Sequence, residues 1–222
     1  MIYLKWLVYF GLSSIFTFIL FLSFFVFLNI KITYWFSVLI QSLVIILSGK
    51  WYFNLKLEDV KKFLFKDLKS EDWKKIFKIT FFMLVSVYLV KGIIYWYYIK
   101  NLKDVEEKNY IYEFEYLYSS LDFFVFWLGL SLLGPFSEEL LYRKGLFEIL
   151  LKKINYIFSV IISSLVFALV HTSGSSFING FVCGLFLPFL YKETKGSLIA
   201  VFVTHSIYNL FNFIVGLIAY VY

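Results

Sequence analysis

Two adjacent glutamates and an arginine interrupt a long apolar region, in the stretch GPFSEELLYRKGLF at positions 134–147. Ionisable side chains within membrane spans are costly and usually face a polar cavity, where they serve a function. Glu139 and Arg143 are four residues apart, so they share one face of a helix and can form an ion pair. Glu138 points about 100° away from that face and stays available to handle protons. The pattern therefore predicts one positioned carboxylate beside one reactive carboxylate.

A simpler interpretation of the same stretch is the beginning of a helix. Gly134 and Pro135 would end the preceding apolar run, and Ser137 would cap the new helix. Acidic side chains are favoured in the first turn because they complement the helix dipole. This interpretation explains the glutamates without any chemistry.

The only two histidines of the chain, His171 and His205, both lie in or at the ends of apolar runs. Phe167 and His171 share a helix face, and so do His205 and Asn209, because each pair is four residues apart. A single such histidine is usually a hydrogen-bonded core residue. Together with the acidic pair, however, these residues form a polar set drawn from three segments. We predict that the set surrounds a hydrated cavity within the bilayer.

The composition indicates an integral membrane protein. Hydrophobic residues make up 61% of the chain and charged residues only 16%, whereas soluble domains carry about 25% charged residues. About 20 apolar residues span a bilayer as a helix. We therefore predict an all-α, polytopic membrane helical bundle of about seven or eight transmembrane helices. The apolar runs are 6–30, 33–49, 79–99, 117–136, 154–171, 176–193 and 198–222.

The predicted organisation is a single membrane domain, 1–222, without an internal repeat. Its N-terminal part, 1–116, contains the first spans and a basic segment, 50–78, with nine lysines. Apolar residues recur in this segment at near-helical spacing, which predicts an amphipathic helix on an anionic membrane surface. A solvated cytoplasmic loop is the alternative. The remaining part, 117–222, is the predicted catalytic core.

Lysine placement predicts the orientation of the chain, because cytoplasmic loops are enriched in Lys and Arg. The nine-lysine segment is expected in the cytoplasm, and two spans precede it, so the N-terminus is expected there too. The expected location is a cell membrane, crossed several times. Twenty lysines against one arginine favour an AT-rich bacterial source. The single cysteine, Cys183, excludes an internal disulfide and a multi-cysteine metal cluster.

The polar set resembles the three signature motifs of the CPBP intramembrane proteases. This family includes the type II CAAX prenyl endopeptidases and the bacteriocin-processing enzymes, also described as abortive-infection proteins. The resemblance covers about residues 117–215. Its motifs are Glu138-Glu139-x-x-x-Arg143, Phe167-x-x-x-His171 and His205-x-x-x-Asn209.

The resemblance implies hydrolysis of a peptide bond in a membrane cavity that opens to the cytoplasm. Glu138 and His171 would hold and activate the attacking water, and Glu139 and Arg143 would support that arrangement. The expected substrate is a membrane-associated peptide or protein. The bilayer is the other expected partner, and no nucleic acid is expected.

The resemblance also implies that His205 and Asn209 stabilise the oxyanion of a tetrahedral intermediate. A glutamate mechanism that requires no cofactor is favoured here. Zinc is the alternative, and Glu138, His171 and His205 would then be its ligands, because two histidines and a carboxylate form a common catalytic zinc set. Asn209, an amide and therefore a poor zinc ligand, stands where a second histidine of the last motif would be.

Two other functions use the same residues. Proton relays in transporters also contain intramembrane glutamate and histidine, so a small-solute or proton transporter is one alternative. A non-catalytic membrane protein that binds a partner, such as a bacteriocin-immunity protein, is the other.

Overall fold

The structure is a computed structural model that describes residues 42–47, 72–101, 124, 127–171 and 174–221. These residues are helical except in short turns, and none of them forms a strand, so the all-α prediction is confirmed for this part of the chain. Residues 42–47 are helical within the predicted span 33–49. The predicted span 6–30 and most of the basic segment 50–78 lie outside the described residues.

Five long helical stretches position the candidate site. They are α1 (Trp73–Asn101), α2 (127–151), α3 (Tyr156–Leu169), α4 (Gly174–Glu193) and α5 (Leu198–Val221). The predicted runs 154–171, 176–193 and 198–222 match the last three helices within two residues at each end. Helix α1 begins six residues before the predicted span 79–99, so the last residues of the segment 50–78 form its first turns. The ammonium group of Lys75 in these turns donates to the Glu193 carboxylate at the end of α4. This contact gives one of the lysines at the beginning of α1 a partner on another helix.

The apolar surface of the described helices suits a bilayer. The stretches Trp73–Tyr97 and Leu198–Ile218 are long and apolar enough to cross a membrane, and Tyr156–Leu169 is a shorter apolar helix. Large apolar side chains of α1, such as Leu89 and Ile93, are more than 60% exposed. In water, such an exposed apolar face would be unfavourable. The number of seven or eight spans stays a prediction.

Helix α2 changes its winding four times. A π-helical segment, Gly129–Leu133, precedes the α-helical piece Gly134–Glu139. A second π-helical segment, Leu140–Phe147, leads into the α-helical piece Glu148–Leu151. π-Helical segments are rare and occur frequently at functional sites.

The interpretation of Gly134 and Pro135 as a helix beginning is wrong. The helix continues through them, and the Gly134 N–H bonds to the Gly129 carbonyl five residues earlier. Ser137 does not cap a helix, because its hydroxyl donates to the Gly134 carbonyl. Proline is tolerated here because a side chain of α5 donates to the Leu130 carbonyl, which the missing N–H group leaves without a backbone donor. The two glutamates therefore lie inside a helix.

Helices α3 and α4 pack closely because small residues line their contact. Ser163 and Ser164 of α3 are completely buried, and Gly184 of α4 lies against Ser164. A Cβ atom added at Gly184 would be 2.8 Å from the Ser164 Cα atom. This contact fixes α3, and with it Phe167 and His171, against α4.

Gly184→Ala is expected to destabilise the protein, because the new methyl group meets backbone atoms that cannot turn away. Overpacking of this kind costs about 1–3 kcal/mol, which lowers the Tm by about 2–4 °C per kcal/mol in a protein of this size. Gly92→Ala is the matched control, because a Cβ atom at Gly92 has nothing within 4 Å. Thermal unfolding of both variants in the same detergent measures the difference. Equal Tm values would show that α3 and α4 are not in close contact there.

Candidate functional site

The predicted Glu139–Arg143 ion pair is confirmed. The Arg143 Nε atom lies 2.9 Å from the Glu139 Oε2 atom, and both side chains are fully buried. The pair is close but poorly aligned, because these two atoms make no hydrogen bond of good geometry among the described residues. The attraction is therefore mainly that of two opposite charges. Such attraction is strong where water is excluded.

His205 connects this ion pair to the second glutamate. Its Nδ1 atom is 2.7 Å from the Glu139 Oε1 atom. A carboxylate held by an arginine accepts hydrogen bonds, so the Nδ1–H group of His205 is the donor. The other ring nitrogen, Nε2, lies 3.7 Å from the Glu138 Oε2 atom, too far for a direct hydrogen bond. These four side chains therefore form a series in the order Arg143, Glu139, His205, Glu138, which we call the charge chain.

The two glutamates have opposite environments although they are adjacent in sequence. The Glu139 side chain is fully buried, whereas the Glu138 side chain is 32% exposed. The predicted division into a positioned and an accessible carboxylate agrees with this difference. Their roles in a reaction remain predictions.

Phe167 joins the second histidine to the same centre. Its ring centroid is 4.9 Å from that of His171 and 5.7 Å from that of His205. The Arg143 guanidinium lies over the same ring, with its carbon 4.7 Å from the centroid. Tyr142 makes an edge contact with the ring on another side, at 5.1 Å. One buried aromatic side chain therefore fixes the spacing of both imidazoles and the guanidinium.

His171, two residues after the end of α3, is oriented by the backbone of that helix. Its Nδ1 atom is 2.9 Å from the Phe167 carbonyl oxygen. Since a carbonyl only accepts, Nδ1 carries the proton and Nε2 is the acceptor nitrogen of the neutral ring. Gly180 of α4 leaves room for this ring, because a Cβ atom there would be 3.3 Å from Nδ1.

Asn209 is held by the first π-helical segment of α2. Its Nδ2 atom donates to the Leu130 carbonyl oxygen at 2.8 Å. Leu130 would normally bond to the N–H of residue 134 in an α-helix or residue 135 in a π-helix. The Gly134 N–H group is used by Gly129, and Pro135 has no N–H group. The Leu130 carbonyl is therefore available to the Asn209 amide.

The structure thus brings together four of the six predicted residues by direct charge contacts: Glu138, Glu139, Arg143 and His205. His171 joins them through the Phe167 ring, and Asn209 joins through α5, four residues after His205. Sequence analysis did not identify Phe167 as a packing centre or the Leu130 carbonyl as a partner. Neither contact has a local sequence signal.

Several buried polar atoms have no hydrogen-bond partner among the described residues. Besides atoms of Glu139 and Arg143, they include the Ser131 hydroxyl, the Asn179 Oδ1 atom and the Ser206 hydroxyl. Ser131 adjoins Leu130, and Ser206 adjoins His205. Buried polar groups are nearly always satisfied by protein or by ordered water. Such groups around the charge chain are consistent with a hydrated cavity.

The residues do not assemble as a zinc site in this conformation. Among the described side chains, no three His, Cys, Asp or Glu residues come close enough to hold a metal ion. This includes the alternative ligand set Glu138, His171 and His205. We therefore derive no step through a metal.

Comparison with known proteins confirms the resemblance identified from the motifs. Residues 120–211 match the family described as Rce1-like, type II CAAX prenyl endopeptidase Rce1-like. A Bacillus subtilis (strain 168) protein named "Putative membrane peptidase YdiL" is 34% identical over 87 residues, 39% of this chain and 35% of that protein. An uncharacterised protein of Mycoplasma capricolum is 33% identical over 93 residues, 40% of this chain and 26% of its own length. The matched region thus covers about a third or less of either relative. No solved structure matches.

Arg143→Met is expected to destabilise the protein by about 3–5 kcal/mol, because it leaves a buried carboxylate without its arginine. Lys144→Met is the matched control. Lys144 also pairs with a glutamate four residues away, Glu148, but its side chain is 40% exposed. An exposed pair of this spacing contributes only about 0.3–0.5 kcal/mol. Thermal unfolding in detergent measures both changes, and losses of similar size would contradict a special role of the buried pair.

Proposed function

We propose that this chain, whose residues 120–211 match the Rce1-like family, is an intramembrane endopeptidase that uses Glu138 to activate water. The observation that carries the proposal is the charge chain from Arg143 through Glu139 and His205 to Glu138. It orients one imidazole toward an accessible carboxylate within an apolar bundle. The matched region is only part of each relative, so activity, substrate and partners are all included in the proposal.

Glu138 and His171 hold and activate the attacking water. The Glu138 carboxylate accepts one water proton while the water oxygen bonds to the scissile carbonyl carbon. The Nε2 atom of His171 accepts a hydrogen bond from the other water O–H, because its Nδ1–H group is already bound to the Phe167 carbonyl. General-base assistance of this kind contributes about 10²–10⁴-fold to the rate.

His205 and Asn209 stabilise the oxyanion that forms on the carbonyl oxygen. The Glu139 carboxylate accepts the Nδ1–H group of His205 and fixes the orientation of the ring. In the proposed reaction, His205 donates to the oxyanion through its Nε2–H group. The Asn209 amide has two N–H groups. One donates to the Leu130 carbonyl, which leaves the other to donate to the oxyanion. Donors that are fixed in advance stabilise such charge effectively.

Collapse of the intermediate completes the reaction. The carbonyl re-forms, the C–N bond breaks, and Glu138 gives the water-derived proton to the leaving nitrogen. One water is consumed, and the products are a new carboxyl terminus and a new amino terminus. Glu138 returns to its starting form without a cofactor.

The proposed location is a cell membrane crossed several times, with the substrate a peptide or protein segment in the same bilayer. The turn between α3 and its predecessor contains Lys152 and Lys153, and the turn after α4 contains Lys195. The Lys75–Glu193 contact places the beginning of α1 at the same end of the bundle. Because basic residues are enriched on the cytoplasmic side, we propose that this end faces the cytoplasm.

Glu138→Gln is expected to lower kcat by at least about 10²-fold, because an amide cannot take the water proton. Glu193→Gln is the matched control, since it makes the same chemical change on an exposed carboxylate outside the site. Peptidomics of membranes from cells that express wild type, Glu138→Gln or Glu193→Gln identifies the fragments. Cleavage of a synthetic peptide that spans the recovered site by purified protein then gives kcat.

Equal fragment patterns in wild-type and Glu138→Gln membranes, at equal protein levels, would refute the proposal. Flux of protons or solutes through liposomes that contain the protein, without peptide fragments, would instead support a transporter. Protection from a bacteriocin that survives Glu138→Gln would support a binding protein.

Exhaustive chelation is expected to leave kcat unchanged, because the proposed reaction needs no metal. Elemental analysis of the purified protein before and after chelation provides the necessary comparison. Stoichiometric zinc that is lost together with activity, and restored together with it, would replace the glutamate mechanism with the zinc alternative.

A further inference from the structure

We infer that Pro135 is a positioning residue for Asn209. It withholds an N–H group from the Leu130 carbonyl and so reserves that carbonyl for the Asn209 amide. The inference about catalysis rests on the proposed function. The inference about the hydrogen bond does not.

The geometry of α2 supports the inference directly. At the end of the π-helical segment Gly129–Leu133, the Gly134 N–H group bonds to the Gly129 carbonyl five residues earlier. The next such bond would run from residue 135 to Leu130. Proline has no N–H group, so that bond cannot form. The Asn209 Nδ2 atom, 2.8 Å from the Leu130 oxygen, replaces it.

The Leu130 carbonyl is part-buried, and a backbone carbonyl shielded from water needs a partner. An N–H group at position 135 would therefore compete with Asn209 for it. The backbone donor would have the advantage, because it is already fixed in the helix. The Asn209 side chain would then lose its anchor and rotate among its conformers. Its second N–H group would no longer point steadily toward the substrate carbonyl, as catalysis requires.

Pro135 is buried in the interior of α2, where a proline is unusual. An interior proline normally destabilises a helix through its missing hydrogen bond and the clash of its ring. Gly134 adds a second restriction, because a Cβ atom there would be 2.7 Å from the Gly129 oxygen. Two residues that are unfavourable in a helix interior thus occur together where the helix meets Asn209. Local choices that oppose the fold are expected at functional sites.

The test is a double-mutant cycle with Pro135→Ala, Asn209→Ala and the combined variant. Pro135→Ala is expected to keep or raise the Tm but to lower kcat about tenfold at nearly constant KM. Asn209→Ala is expected to lower kcat about 10²-fold or more. The combined variant should match Asn209→Ala within about twofold, because Pro135 acts only through Asn209. Additive losses in kcat would overturn the inference.

Stability provides a readout that does not depend on cleavage. In the wild type, Asn209→Ala removes a hydrogen bond and is expected to raise the unfolding equilibrium constant about fivefold. In the Pro135→Ala background the same change should have little effect, since the new N–H group bonds to Leu130. An equal effect in both backgrounds would overturn the inference even if the protein proves not to be a peptidase.

Pro188→Ala is the matched control, because Pro188 is the other proline of the chain and lies inside α4. It should not couple to Asn209 in either readout. Coupling of the same size at Pro188 would mean that any interior proline produces the effect, and the inference would fail. Loss of cleavage in the Glu138→Gln variant tests the proposed function separately.

Discussion

The site depends on a single buried carboxylate, that of Glu139. One of its oxygens lies against the Arg143 guanidinium and the other accepts from His205. A charge buried in an apolar bundle is tolerated only when it is paired. Glu139 therefore holds together side chains from α2 and α5.

The winding of α2 places these charges. Glu138 and Glu139 lie at the end of the short α-helical piece, and Arg143 lies in the π-helical segment that follows. A π-helical segment rotates the side chains that follow it relative to those before it. The Glu139 and Arg143 side chains nevertheless remain in contact. On its other side, the first π-helical segment provides the backbone carbonyl that holds Asn209. The same irregular helix thus carries both glutamates, Arg143 and an anchor for Asn209 on α5.

Much of this arrangement follows from sequence patterns. The four-residue spacings predicted the Glu139–Arg143 pair, and the apolar runs predicted α3, α4 and α5. The first π-helical segment could not be predicted, because it depends on the hydrogen bond from Gly134 to Gly129 and on the N–H group that Pro135 lacks. For the same reason, the sequence suggested a helix end where the structure has a continuous helix. The contact of His205 with Glu139 joins residues far apart in sequence, so only the packing of α2 on α5 reveals it.

Adjacent glutamates can perform different tasks because a helix rotates successive residues to different environments. Glu139 faces the interior, where its partners fix its position and occupy both oxygens. Glu138 faces a less enclosed region, and its Oε2 atom lies 3.7 Å from the His205 Nε2 atom. That separation is too long for a direct hydrogen bond but leaves a position where a reacting group could contact both. The buried Glu139 therefore fixes His205, and with it the imidazole that faces the accessible Glu138 carboxylate.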